Sequence, residues 1–120
     1  MVNFGITGQG YMKDPFGIDQ HEPGAKLDEG KSRVGLVIGG FATALEEVAI
    51  VGTYGANKYT DSGWETVPNG NARYLDAMYR HLLAYHRGVE FDSESKLLHL
   101  AHAAWNLLAV LELGLRDYGY

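Results

Sequence analysis

His99, His102 and Asn106 stand at i, i+3 and i+7 in a segment otherwise made of Leu, Ala, Val and Trp. At helical spacing they project from one stripe. The composition of residues 96–113 suits a bundle interior, where each polar group left unpaired costs about 1–3 kcal/mol. A metal, carboxylates from other helices or a bound ligand would each satisfy them. The acids best placed to join them are Glu46, Glu47 and Asp76, on segments that also read as helices. Carboxylates and imidazoles gathered on bundle helices can hold Mg²⁺, Mn²⁺, Fe or Zn²⁺. The candidate ligands are therefore Glu46 or Glu47, Asp76, His99 and His102. A helical histidine pair on its own is more often structural, and the acids and cations elsewhere in the chain shift that balance toward chemistry.

Three further groups bear on anions and rings. The loop Gly24-Ala-Lys26-Leu-Asp28-Glu-Gly30-Lys31-Ser-Arg33 combines Gly, whose backbone N–H can approach an anion closely, with the charges of Lys26, Lys31 and Arg33. It matches only half of a Walker A loop, and a solvated basic loop is the simpler reading. Asn57, Lys58, Tyr59 and Trp64 fall in a predicted loop over 55–72. They suit either stacking on a base while holding a phosphate or pinning the loop to the core. Arg73, Asp76 and Arg80 share a helical stripe: a solvated face with an Asp76–Arg80 ion pair, or an acid flanked by guanidinium groups for phosphates. A divalent ion beside cations and aromatics points to a nucleoside polyphosphate, with phosphates on the metal and the Lys/Arg groups and the base on Trp64 or Tyr59. The chain has no Cys, which removes disulfides, thiolate ligands and thiol nucleophiles. No Ser occupies a nucleophile-elbow context.

Three helices must position these groups. The first is predicted from Phe41 to Tyr54, with Phe41, Leu45, Val48 and Val51 as its apolar stripe and Gly55 as its C-cap. The second runs from Ala72 to Arg87 with Leu75, Met78, Leu82 and Tyr85 inward and Gly88 as its cap. Asp92 or Ser93 can N-cap the third, after a polar connector over 88–95. The short connector makes the last two helices antiparallel neighbours, bringing the Asp76 stripe toward the His99 stripe. Residues 1–23 hold no period and read as an irregular Gly-rich arm, leaving 24–120 as one all-α domain. At 120 residues such a bundle needs a second subunit to complete burial. The net charge of −5 argues against non-specific nucleic-acid binding. The chain shows neither a membrane-length apolar run nor a signal-peptide pattern, which predicts a cytoplasmic protein without membrane partners.

The runs Gly24-Ala-Lys-x-Asp28-x-Gly30-Lys31-x-Arg33, Ala44-Leu-Glu-Glu47-Val-Ala-x-Val51 and Tyr54-Gly55-Ala-x-Lys58-Tyr59 with Trp64 resemble a family of phage dATP/dGTP diphosphohydrolases. These are relatives of the MazG-like all-α nucleotide pyrophosphohydrolases. Arg73-Tyr-Leu-Asp76-Ala, Arg80-His81-Leu-Leu-Ala, Gly88, Asp92, Glu94-Ser95 and His99-Leu-Ala-His102-Ala-Ala-x-Asn106 continue the likeness through residues 24–113. The resemblance implies a MazG-like bundle of three main helices completed by oligomerisation, as a dimer or tetramer. It implies hydrolysis of purine deoxynucleoside triphosphates to monophosphate and pyrophosphate with Mg²⁺ or Mn²⁺, in the host cytoplasm where the gene is a phage's. It favours Glu47 and Asp76 as the catalytic acids. Lys26, Lys31, Arg33, Asn57, Lys58, Tyr59, Trp64, Arg73, Arg80 and Asn106 are the groups expected to bind substrate. His99 and His102 take the place of an acidic E-x-x-D pair of MazG-like relatives. That exchange also suits a second reading, a non-catalytic phage nucleotide sponge that sequesters a nucleotide-derived immune signal.

Overall fold

The computed structural model describes residues 12–119, and these are all-helical. Contacts divide the chain into two compact units, one ending at Gly40 and one beginning at Phe41. The expected arm falls in the first. Its residues 1–11 lie outside the described residues. From residue 12 onward the order is set by one buried carboxylate, Asp14. Its Oδ1 accepts the amides of Ile18 (2.8 Å) and Phe16 (2.9 Å), and its Oδ2 that of Lys26 (3.3 Å). A β-bridge pairs Lys13 with Asp19 across this turn. The basic loop follows with all three of its cations exposed, then a short helix, α1 (Val34–Gly40).

The second unit contains α2 (Ala42–Lys58), a 3-10 turn (Gly63–Thr66), α3 (Gly70–His86) and α4 (His99–Asp117). α2 runs beyond the expected stop at Tyr54, because Gly55 sits inside the helix and its carbonyl accepts the Tyr59 amide at 2.9 Å. Asn57 and Lys58 are therefore helical, and Tyr59 is the cap. α3 closes as expected at Gly88, whose φ of +87° is open to glycine at no steric cost. The amide of Val89 reaches the carbonyl of Ala84 and that of Gly88 reaches Tyr85, the bond pair of a Schellman motif. Tyr85, expected inward, is 43% exposed, because the last turn of α3 extends past the helix it packs on.

α4 begins at His99, later than an Asp92 or Ser93 cap would place it. The Asp92 carboxylate instead closes a tight turn by accepting the Ser95 amide, and the Asp92 amide bonds the Leu97 carbonyl. Lys96 sits at φ +65°, a left-handed conformation that no helix continues through. α3 and α4 pack antiparallel, with Tyr74 against Trp105 at one level and His81 against His99 at another. α2 completes the layer, approaching Trp105 of α4 at Gly52. A Cβ there would lie 3.2 Å from the Trp105 indole nitrogen, so the glycine is what admits the ring.

The interior of this unit is small. Its buried apolar side chains are Val51, Ala101, Ala103 and Ala109, and among the described residues no large side chain is fully buried. Leu100, Leu107, Leu108, Leu111 and Leu115 of α4 are 39–55% exposed. Their spacing follows a helical stripe facing away from the alanines. No single helix among the described residues is long and apolar enough to cross a membrane.

The Asp14 turn carries a definite pH dependence. Its carboxyl is held below the usual range, the Ile18 amide contributing most, against the upward push of burial and with the Lys26 and Phe16 amides adding to it. Its ordering effect is therefore complete above the unfolded carboxyl's pKa of about 3.9 and is lost as pH falls through the lower folded value. In an acid titration, the amide proton shifts of Phe16 and Ile18 should move together with a midpoint below 3.9. A midpoint at or above that value would contradict the assignment.

Candidate functional site

The functional side chains gather where α3 ends and α4 begins. His81 lies on the inward stripe of α3, three residues after Met78 and seven after Tyr74, and is half-buried. Antiparallel packing carries it to the first turn of α4. Its Nδ1 is 2.8 Å from Nδ1 of His99, which is itself buried. Its ring stacks on that of His102, with centroids 4.4 Å apart and planes 7° from parallel. The connector wraps this group. Ser95 Oγ lies 2.7 Å from His102 Nε2 and accepts the Leu97 amide, while the Glu90 carbonyl accepts the His99 amide at 2.9 Å.

Electrostatics follow from this crowding. Burial lowers the His81 pKa to about 4, with the neighbouring charges of His102 and His99 acting in the same direction. His81 is thus a neutral imidazole at pH 7. Burial also lowers His102, opposed by Asp92. Burial alone would raise Asp92, but hydrogen bonds from Ser95 and the nearby His102 and His81 outweigh it and hold the carboxyl below its ordinary value. An Nδ1–Nδ1 contact requires one nitrogen to donate and the other to accept, so two imidazolium ions cannot occupy it.

A polar flank continues from the cluster onto α2. The Tyr54 ring meets His102 edge-on at 6.3 Å. Its hydroxyl donates to Glu94 at 3.2 Å, and Lys58 pairs with the same carboxylate. The Lys58 hydrogen bond is the largest influence holding Glu94 low, and Glu94 in turn raises Lys58. Burial, then Glu94, raises the Tyr54 phenol. Glu47, Val51, Tyr54 and Lys58 follow i, i+4, i+7 and i+11 along one stripe of α2. Glu47 is half-buried about 10 Å along the axis from Tyr54.

His81, Asp92 and His99 each present one ligand atom, all within 4.8 Å of one another, the metal-capable group among the described residues. Of the expected ligands only His99 belongs to it. His102 is next to it but directs Nε2 at Ser95. Asp76 does not meet His99 as expected. His81 lies five residues further along α3, about 140° round the helix, and that face rather than Asp76's turns inward. Asp76 is exposed, as are Glu46, Arg73 and Arg80. The Asp76–Arg80 ion pair is also absent from the ion pairs of the described residues, which are Lys58–Glu94, Arg116–Glu65 and Arg116–Glu112. On an exposed face its small gain does not fix two long side chains.

The remaining expected groups are dispersed. Lys26, Lys31 and Arg33 belong to the first unit. Arg73 donates to the Pro68 carbonyl. Trp64 is packed edge-on against Trp105, beneath the Arg116 guanidinium, and its carbonyl accepts the Tyr74 hydroxyl. The aromatic therefore pins its loop to the bundle. Asn57 and Tyr59 are exposed at the end of α2. Asn106 is buried and spends its amide on the His102 carbonyl one turn back. His81, Asp92, Ser95, Tyr54 and Glu94 enter the site unanticipated. All five fall within the runs that carry the family resemblance, and His81 also stands out as a histidine on the apolar stripe of the second helix, but neither signal assigns them a role.

These features define an all-α protein with an imidazole–carboxylate centre at one end of an antiparallel helix pair. The chain belongs to the family described as dATP/dGTP diphosphohydrolase, N-terminal, which it matches over residues 21–120. A Salmonella phage PMBT28 protein described as dATP/dGTP diphosphohydrolase is 37% identical over 90 residues. The match covers 75% of this chain but 29% of that relative, so the chain spans less than a third of the relative's length. No solved structure matches the chain.

Ser95 holds both the connector and His102, so Ser95→Ala should cost about 1 kcal/mol by leaving a half-buried imidazole nitrogen without its partner. Urea denaturation measures this, and Ser95→Thr should retain most of the stability. Equal midpoints for wild type and Ser95→Ala would show that the contact contributes nothing.

Proposed function

We propose that this chain is a nucleotide diphosphohydrolase module acting on purine deoxynucleoside triphosphates such as dATP and dGTP, releasing monophosphate and pyrophosphate. Membership of the diphosphohydrolase family over residues 21–120 carries this reading. The site supports it. A triphosphate lying along the α2 stripe would meet Lys58, Tyr54 and Glu47 in turn. Lys58 would exchange its exposed Glu94 partner for phosphate oxygens, and exposed Tyr59 would offer a ring face to the base. Arg73 and Arg80, both in solvent, would offset the remaining charge.

In the proposed reaction, water attacks the α-phosphorus while Glu47 takes its proton. The bond from that phosphorus to the oxygen bridging the α- and β-phosphates breaks, and pyrophosphate leaves with the electron pair. Asp76 is the alternative base. A divalent ion, Mg²⁺ or Mn²⁺, belongs to the proposal because it would supply charge neutralisation at the phosphates. The imidazole-rich centre does not suit Mg²⁺, so the nucleotide's ion would be held instead by phosphate oxygens and carboxylates, oxygen donors that fit Mg²⁺ and Mn²⁺ alike.

Self-association is part of the same reading, supported by the exposed leucine stripe of α4 and the small interior. Light scattering on the purified chain should give a mass of two or four copies. A monomer at high concentration would remove this part of the proposal.

The decisive assay incubates the chain with dATP, dGTP and pyrimidine counterparts, with each ion, and separates the products. Monophosphate and pyrophosphate from the purine substrates are expected, and Glu47→Gln should abolish turnover with an unchanged circular dichroism spectrum. Full activity in that variant would remove Glu47 from its role. Intact nucleotides throughout would overturn the hydrolytic reading. A nucleotide released unchanged on denaturation would then favour the sponge, a reading supported by the single carboxylate in the centre.

A further inference from the structure

We propose that His81, Asp92 and His99 form a binding site for a zinc-class divalent ion, distinct from any ion that accompanies a nucleotide. This stands apart from the hydrolytic reading, because it concerns a resident ion held by the chain alone.

The donor set is the first argument. Two imidazoles and one carboxylate are the protein ligands of tetrahedral Zn²⁺ sites whose fourth position is left for water or an anion, and the same set holds Fe²⁺ with several positions open. Geometry is the second. In a tetrahedral zinc site with ligands at about 2.0 Å, neighbouring donor atoms lie roughly 3.3 Å apart. In the ion-free chain the two Nδ1 atoms are 2.8 Å apart, one donating to the other, and the whole set falls within 4.8 Å. On binding, the donating ring would give up its Nδ1 proton and carry its N–H at Nε2, so that the hydrogen bond is replaced by two nitrogen–metal bonds and the pair opens slightly. The outermost pair must close by roughly 1.5 Å, within the reach of a side-chain rotation.

Support around the ligands is the third argument. His81 is braced by its stack on His102, which is anchored in turn by Ser95. Asp92 is oriented by the Ser95 amide. His99 occupies the first position of α4, fixed by its own amide on the Glu90 carbonyl. Ligands from the end of α3, the connector and the start of α4 would thus be tied by one ion, which would fasten the connector to both helices. Shells of this kind hold metal ligands in register, and their loss commonly weakens binding about 10–100-fold.

The test uses the untagged full chain, stripped with chelator, loaded with Zn²⁺ and dialysed against excess Mg²⁺. Elemental analysis should find about one Zn²⁺ retained per chain, and Zn²⁺ but not Mg²⁺ should raise the melting temperature. Co²⁺ should give a visible absorption band of tetrahedral intensity. His81→Gln and Asp92→Asn should each weaken Zn²⁺ binding by about 100-fold or more, and Ser95→Ala by about 10-fold. His86→Gln, altering an exposed histidine nearby, should leave it unchanged. Circular dichroism checks that each variant is folded, and Asp92→Asn, on the connector, serves if His81→Gln does not fold. Loss of all Zn²⁺ from the wild type during dialysis would overturn the proposal. So would affinity unchanged in folded His81→Gln or Asp92→Asn. None of these readings depends on turnover, so failure here leaves the hydrolytic reading standing, and the reverse holds too.

Discussion

His81 and His99 bring two Nδ1 atoms to 2.8 Å, and that contact exists only while one nitrogen carries a proton and the other does not. The constraint reaches well beyond the pair. At least one of the two rings must be neutral, and burial beneath the His102 stack and the wrapped connector keeps His81 in that state at pH 7. The contact fixes the axial register of α3 against α4, because a shift of one residue on either helix would turn an imidazole out of the interface. Through His102 and Tyr54 it extends to α2, whose lysine and tyrosine converge on Glu94. The polar end of the bundle is therefore a single network, and its cost is offset by partners within the network.

Further along the same inward face, the helix pair is organised by size. Ala101, Ala103 and Ala109 give α4 a narrow inner surface, and Gly52 admits the Trp105 ring to α2. Close approach of backbones replaces bulk as the source of contact. The consequence is an interior with little apolar volume and a row of leucines left outside it. A chain built this way gains most from covering that row. The functional centre lies at the end of the bundle where α4 starts, so its imidazoles are assembled within one chain.

The sequence made the helices legible because their apolar periods are regular. The three main elements stand where Val51, Met78 and the alanines of α4 require, and Gly88 caps α3 as its residue type predicts. The start of α4 was not legible. Asp92 and Ser93 are good cap residues locally, yet Asp92 serves a turn that Lys96 closes in a left-handed conformation, and neither fact has a local signature. His99 and His102 announced a centre, but the choice between Asp76 and His81 as partner depends on which face of α3 turns inward. Apolar residues on α3 flank both faces closely enough that periodicity alone leaves the matter open. Trp64 shows the same limit: an aromatic in a Gly-rich loop reads equally as a stacking platform or an anchor, and contact with Trp105 makes it the anchor.

A purine nucleotide lying along the α2 stripe as proposed would draw Lys58 from Glu94 and disturb Tyr54, whose ring meets His102 and so reaches the imidazole cluster. Imidazole ¹H–¹⁵N correlation spectra, recorded while dGTP is titrated into the chain, test it directly. The ring signals of His81, His99 and His102 are expected to shift together and saturate, while those of exposed His86 stay in place. Saturable binding of dGTP with all three cluster signals unmoved would contradict it.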